Sequence, residues 1–158
     1  MKSRARQLLT LVACVVICFL PGAIGGSFPP DAWYQALAKP PLTPPGWIFP
    51  VAWTSLYLMM GVSLFMLLDA APSLRTVRVQ LGFFGGQLIL NAAWSWLFFG
   101  LHRPDLAFVE IVALWLMIFA CVVTFHRVRA SAGLLLVPYL AWVTFASYLN
   151  LALWRLNA

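Results

Sequence analysis

The chain has 158 residues, 63% of them hydrophobic and only 9% charged, with a formal net charge of +6. That leaves too little polar surface to coat a water-soluble globule of this size, so the composition excludes a soluble domain and implies a membrane protein. The basic residues stand at the ends of apolar runs and never form a stripe with polar neighbours, a pattern that sets membrane orientation and argues against nucleic acid as a partner.

Crossing a bilayer core as a helix takes about 20 mostly apolar residues. Five runs meet that need, at 8–26, 47–68, 77–99, 106–125 and 133–154, and they predict an all-α, five-helix membrane bundle forming one domain over 1–158. The first run holds Cys14 and Cys18, and Cys121 lies in the fourth; thiols in apolar runs behave as small hydrophobes, so neither a disulfide nor a metal site is expected. The LVAC stretch ending at Cys14 echoes a lipoprotein cleavage box but follows the basic start too closely to serve as one.

The connection at 27–46 is long and contains six prolines. Its Trp33-Tyr34 pair, with Ala32, Gln35, Ala36 and Lys39, predicts a short helix, and Pro40-Pro41 and Pro44-Pro45 predict a stiff, extended strap. An ordered cover, or lid, over one end of the bundle is the expectation. Pro50 falls in the opening turn of the second run, where a missing N–H is tolerated, and aims Trp53 toward the bundle, with Tyr57 four residues on and Phe49 one turn earlier. The later connections are short, which makes consecutive helices antiparallel neighbours.

In the third run, Gln87, Asn91, Trp94 and Ser95 fall on one helical face, with Gly82 and Gly86 opposite at small-xxx-small spacing. The amide face implies either an internal ligand pocket or bonds to adjacent helices. The glycines imply either a homodimer seam or contact with a helix of the same chain. In the fourth run Glu110 is a lone carboxylate, a functional candidate or a partner for Arg103 and interfacial water. His102 and His126 lie in loops without partners at ligand spacing. The fifth run stacks Pro138, Trp142, Phe145, Ala146 and Leu149 on one face, and inward tryptophans opposite an amide-bearing helix suit a flat, mostly apolar guest. Lysine and arginine favour one side, Lys2, Arg4, Arg6, Arg75, Arg78, Arg127 and Arg129 against Lys39, Arg103 and Arg155, which places the amino terminus in the cytoplasm.

The segments WYQALAKPPLTPPGWIFPVAWTSLYLMMG, GQLILNAAWSWLFFG and VPYLAWVTFASYLNLALWR resemble the translocator protein family, also called the tryptophan-rich sensory protein or peripheral benzodiazepine receptor family, in order from Trp33 to Arg155. The resemblance implies a five-helix bundle, usually a homodimer, in a bacterial-type envelope membrane. It implies no obligatory cofactor, and ligands that include porphyrins, haem, sterol-like lipids and benzodiazepine-site drugs. Carried over by position, the ligand site would comprise Tyr34, Trp53, Gln87, Asn91, Trp94, Trp142 and Ala146. Trp53 and Trp142 match the tryptophans the family associates with light-dependent porphyrin breakdown, which makes them the candidates for any catalysis. Two positions depart from the pattern: Leu151 replaces the tyrosine of the animal sterol motif, and Leu106 stands where several relatives have tryptophan. Two functions follow as expectations, binding for transport or sensing, and photo-oxidative breakdown, beside a third in which the tryptophans only pack.

Overall fold

The computed structural model describes residues 3–158, so Lys2 of the charge count lies outside the described residues. Helix α1, Arg4–Gly25, starts earlier than its apolar run because Ser3 caps it, its hydroxyl accepting the Arg6 N–H at 3.3 Å. After two tight turns, Asp31 caps the short helix α2, Ala32–Ala36, by accepting the Tyr34 N–H at 3.1 Å.

The prolines that follow do not make the extended strap expected of them. Thr43 N–H donates to the Pro40 carbonyl and Ile48 N–H to the Pro45 carbonyl, both at 3.0 Å. Proline's fixed φ suits the first positions of a turn as well as an extended strand, and here the hydrogen bonds select turns. Helix α3, Ile48–Ala70, follows, with Pro50 in its first turn, where the backbone N–H would have no helical acceptor.

A 3-10 turn over Leu74–Val77 leads into helix α4, Arg78–Ser95, which widens into a π turn over Trp96–Gly100. The expected single run at 77–99 is thus three conformations in series. Helix α5 is Pro104–Val128, with proline at its start. The expected run at 133–154 is divided into α6, Ala130–Leu134, and α7, Val137–Leu156, because Pro138 can be accommodated only in a first turn.

All secondary structure among the described residues is helical. Helix α1 lies between α3 and α4, α4 packs on α5, and α5 packs on α7, while α6 folds against α5 and α3. The α3 and α7 backbones stay apart and meet chiefly through side chains. The buried stripe of α5, Ala107, Ile111, Leu114, Ile118, Cys121 and Phe125, follows helical spacing, as do Met60, Leu64 and Leu67 of α3. Cys14 and Cys18 are buried on the inner side of α1.

The exterior is apolar in turn, with Leu8, Val12, Val16, Val109, Leu116 and Phe119 exposed. A bundle apolar both inside and out is a membrane protein, with lipid as its outer solvent. Among the described residues four helical stretches are long and apolar enough to cross a bilayer: α1, α3, α5 and the α6–α7 region at 130–156. Helix α4 carries Arg78, Gln80, Gln87 and Asn91 and is less apolar, but it is held between α1 and α5.

Close approach of α1 and α3 depends on Gly61, which is buried; a Cβ there would sit 2.6 Å from the Val15 backbone Cα. Gly61→Ala should therefore lower the thermal midpoint of the detergent-solubilised protein by several degrees, a loss of about 1–3 kcal/mol. Gly82→Ala, whose Cβ would meet nothing of its own chain within 4 Å, should not lower the midpoint of the monomeric protein in the same melt.

Candidate functional site

The inward face of α4 meets phenols from two other helices. Tyr57 of α3 donates its hydroxyl to Asn91 Oδ1 at 3.0 Å, Asn91 Nδ2 donates to the Tyr139 hydroxyl of α7 at 2.8 Å, and Tyr139 donates to Gln87 Oε1 at 3.0 Å. All four side chains are buried. In a low-dielectric interior such a directed chain of donors fixes the register of three helices at once. The Tyr57 ring has room because Gly22 of α1 lies against it, where a Cβ would come within 2.6 Å of the ring.

Both amides of the expected site are thus interior, and both are engaged with adjacent helices. Gln87 Nε2 is the exception, a buried donor with no hydrogen-bond acceptor, beside a small void lined by Phe84, Ile118, Cys121, Leu136 and Tyr139.

The aromatic residues surround this chain. Trp53 stacks on Tyr57 with ring centroids 5.3 Å apart and meets the edge of Tyr139 at 6.1 Å. Trp142 meets Phe49 edge-on at 6.0 Å and Phe145 at 5.9 Å. Its indole N–H is buried without an acceptor. Trp142 also lines an open groove of about 450 Å³ between α3 and α7, walled by Ala52, Ser55, Leu56, Pro138, Ala141 and Phe145. Small side chains at Ala52, Ser55 and Ala141 are what leave this gap. Ala146 packs against the main core one turn beyond Trp142.

Tyr34 and Trp94 belong mainly to a second cluster at the loop end of the bundle. Trp94 stacks on Phe98 at 4.9 Å and donates its indole N–H to Asn150 Oδ1 at 3.0 Å, while Asn150 donates to the Pro104 carbonyl at 2.8 Å. Tyr34 packs edge-on against Phe98 and Phe99, and Trp33 against Phe98. The π turn presents Phe98 and Phe99 to α2. The predicted residues therefore fall into two neighbouring groups, Trp53, Gln87, Asn91, Trp142 and Ala146 in one and Tyr34 in the other, with Trp94 in contact with both.

Glu110 is buried in the second turn of α5, and neither carboxylate oxygen has a hydrogen-bond partner. Arg103 is not its partner, since that guanidinium engages Asp105 at 2.8 Å. Gly86 packs near Met117 Sδ of α5 in the same chain, 3.6 Å from its would-be Cβ, whereas Gly82 and Gly85 face open space. Tyr57, Tyr139 and Asn150 are absent from the predicted ligand site. The signal for each was available, a hydroxyl or amide inside an apolar run, but a tyrosine in a membrane helix reads equally well as an interfacial anchor.

Fold and core define the class: an integral membrane helical bundle with a tryptophan-rich, amide-bearing interior. The TspO/MBR family model matches residues 11–155, and the chain belongs to that family. It is 44% identical over 155 residues to the tryptophan-rich protein TspO of Chlorobaculum tepidum, covering 96% of this chain and 98% of that one. It is 43% identical over 150 residues to the protein CrtK of Rhodobacter capsulatus, covering 94% of each. Similarity to the translocator protein of Bos taurus is 40% identity over 126 residues, 79% of this chain and 75% of the bovine one.

The amide and phenol chain yields a stability test. Tyr139→Phe strands the Asn91 Nδ2 donor and the Gln87 Oε1 acceptor in a buried setting, so it should cost about 1–3 kcal/mol and lower the melting midpoint in detergent. The exposed Tyr148→Phe should be silent in the same assay.

Proposed function

We propose that this protein binds porphyrins, haem and similar flat, largely apolar molecules inside its bundle, for transport, sensing or regulation of tetrapyrrole metabolism. The observation that carries this reading is the open α3–α7 groove, walled by Trp142, Phe145, Pro138 and Leu56. Apolar walls supply affinity, and the Trp142 indole N–H, which has no acceptor within the protein, offers a directional donor to a carboxylate or carbonyl on the guest. The names of the relatives, tryptophan-rich sensory protein and translocator protein, support the same reading. Sterol-like lipids and benzodiazepine-site drugs are further candidate ligands, although Leu151 weakens the case for the animal sterol motif.

In this proposal segment 27–46 is the lid, and the amino terminus is cytoplasmic in a bacterial-type envelope membrane. A homodimer would form along the outer face of α4. Gly82 and Gly85 are the better candidates for that seam, because Gly86 is turned toward α5 of its own chain.

Protoporphyrin titration, read by tryptophan quenching, tests the site. Trp142→Ala and Trp53→Ala should each weaken binding at least about fivefold, the scale of a lost aromatic contact, while the outward-facing Trp96→Ala should not. Unchanged affinity in both inner variants would remove this groove as the site.

A second reading, light-driven porphyrin breakdown, is favoured by one feature. The contiguous rings of Trp53, Tyr57 and Tyr139 form a path along which an aromatic radical could be passed, with light and dioxygen supplying the oxidising power. Bound protoporphyrin should then bleach only under illumination and with oxygen, and at least about tenfold more slowly in a Trp53→Phe, Trp142→Phe double variant. Equal bleaching in that variant would leave binding alone.

A further inference from the structure

Segment 27–46 is fastened to the bundle at two separate points. At one, the Asp31 carboxylate meets His102 Nε2 at 2.9 Å in the α4–α5 connection, and the imidazole stacks on Trp33 with centroids 4.4 Å apart and planes 19° from parallel. At the other, the Asn157 side chain just beyond α7 accepts the Ala38 N–H at 2.9 Å and donates to the Ala38 carbonyl at 3.0 Å. Between them Lys39 folds back on its own helix, donating to the Tyr34 and Gln35 carbonyls at 3.0 and 3.2 Å.

The two fastenings differ in kind. The Asn157 pair is uncharged and indifferent to pH. Histidine as a residue type exchanges its proton near neutrality, and His102 is the one described non-glycine residue with positive φ, 52°. That turn of the backbone aims the ring at Asp31.

We propose that His102, Asp31 and Trp33 form a protonation-sensitive clasp that sets how readily segment 27–46 lifts from the loop end of the bundle. The proposal rests on reading that segment as the lid. Below the histidine range the imidazolium makes a charge-assisted bond to Asp31 and a cation–π contact with Trp33; above it both weaken to neutral contacts. Asp31 remains the anionic partner throughout, since the Tyr34 N–H and His102 hold its carboxyl below the usual carboxylate range. The clasp therefore tightens as pH falls through the histidine range and loosens as pH rises through it, weakening again only in acid strong enough to protonate Asp31. Other charges nearby are already engaged: Arg103 is paired with Asp105, and Lys39 is turned to the α2 carbonyls.

A spin label at Gln35→Cys on the full-length protein reports lid mobility without any ligand. Labelling is selective because Cys14, Cys18 and Cys121 are buried. The mobile fraction should rise about two- to threefold from pH 5.5 to pH 8, as suits an exposed ion pair. It should be flat with pH in His102→Gln and shrink to less than half the wild-type rise in Asp31→Asn, which keeps a competent cap for α2 and the Trp33 stacking while losing the charge. The same rise in Asp31→Asn, or none in the wild type, overturns the clasp. Absence of any porphyrin binding, with the label behaving as expected, instead overturns the ligand assigned above and leaves the clasp standing.

Discussion

Lipid offers no hydrogen bonds, so a polar group carried into the bilayer is costly unless it finds a partner within the protein. The amide and phenol chain from Tyr57 through Asn91 and Tyr139 to Gln87 meets that demand by joining α3, α4 and α7, three helices that share little backbone contact around their common centre. Other polar side chains bond locally to a carbonyl of their own helix, as Ser55, Thr124 and Ser147 do. Trp94 with Asn150, Trp115 with Thr144 and Ser63 with the Ala132 carbonyl also cross between helices, but the central chain joins three of them at once, and the aromatic rings are arranged around it: Trp53 on Tyr57, and Trp142 beside the α3–α7 gap.

A second amide, Asn150, does for the loop end what Asn91 does for the middle. It links α7 to Trp94 of α4 and to the first residue of α5, next to the phenylalanines on which Trp33 and Tyr34 rest. Trp94 touches both clusters, so an unbroken run of side-chain contacts leads from Tyr34 of α2 through Phe98 and Trp94 toward the amide chain.

The helical class of the fold was legible because lipid imposes a length and a composition on each span, and both survive in the sequence as apolar runs. The inward face of α4 was legible for a related reason: Gln87, Asn91 and Trp94 share a side at 100° per residue, and amides are costly anywhere else. What stayed hidden depended on contacts between distant residues. Tyr139 could equally have been an interfacial anchor, and His102 had no partner within reach in sequence, since Asp31 lies 71 positions away. The π turn leaves no compositional trace, and the proline pairs permit an extended strap or two turns until Thr43 and Ile48 choose their acceptors.

The opening between α3 and α7 makes the bundle an incomplete ring. Ser63, which donates to the Ala132 carbonyl at 2.7 Å, ties α3 to α6 at one end of that slit, and Phe49 and Trp142 touch across the other. With little backbone contact between α3 and α7, the width of the slit is set by the side chains that line and bridge it, so its small residues Ala52, Ser55 and Ala141 are also its spacers.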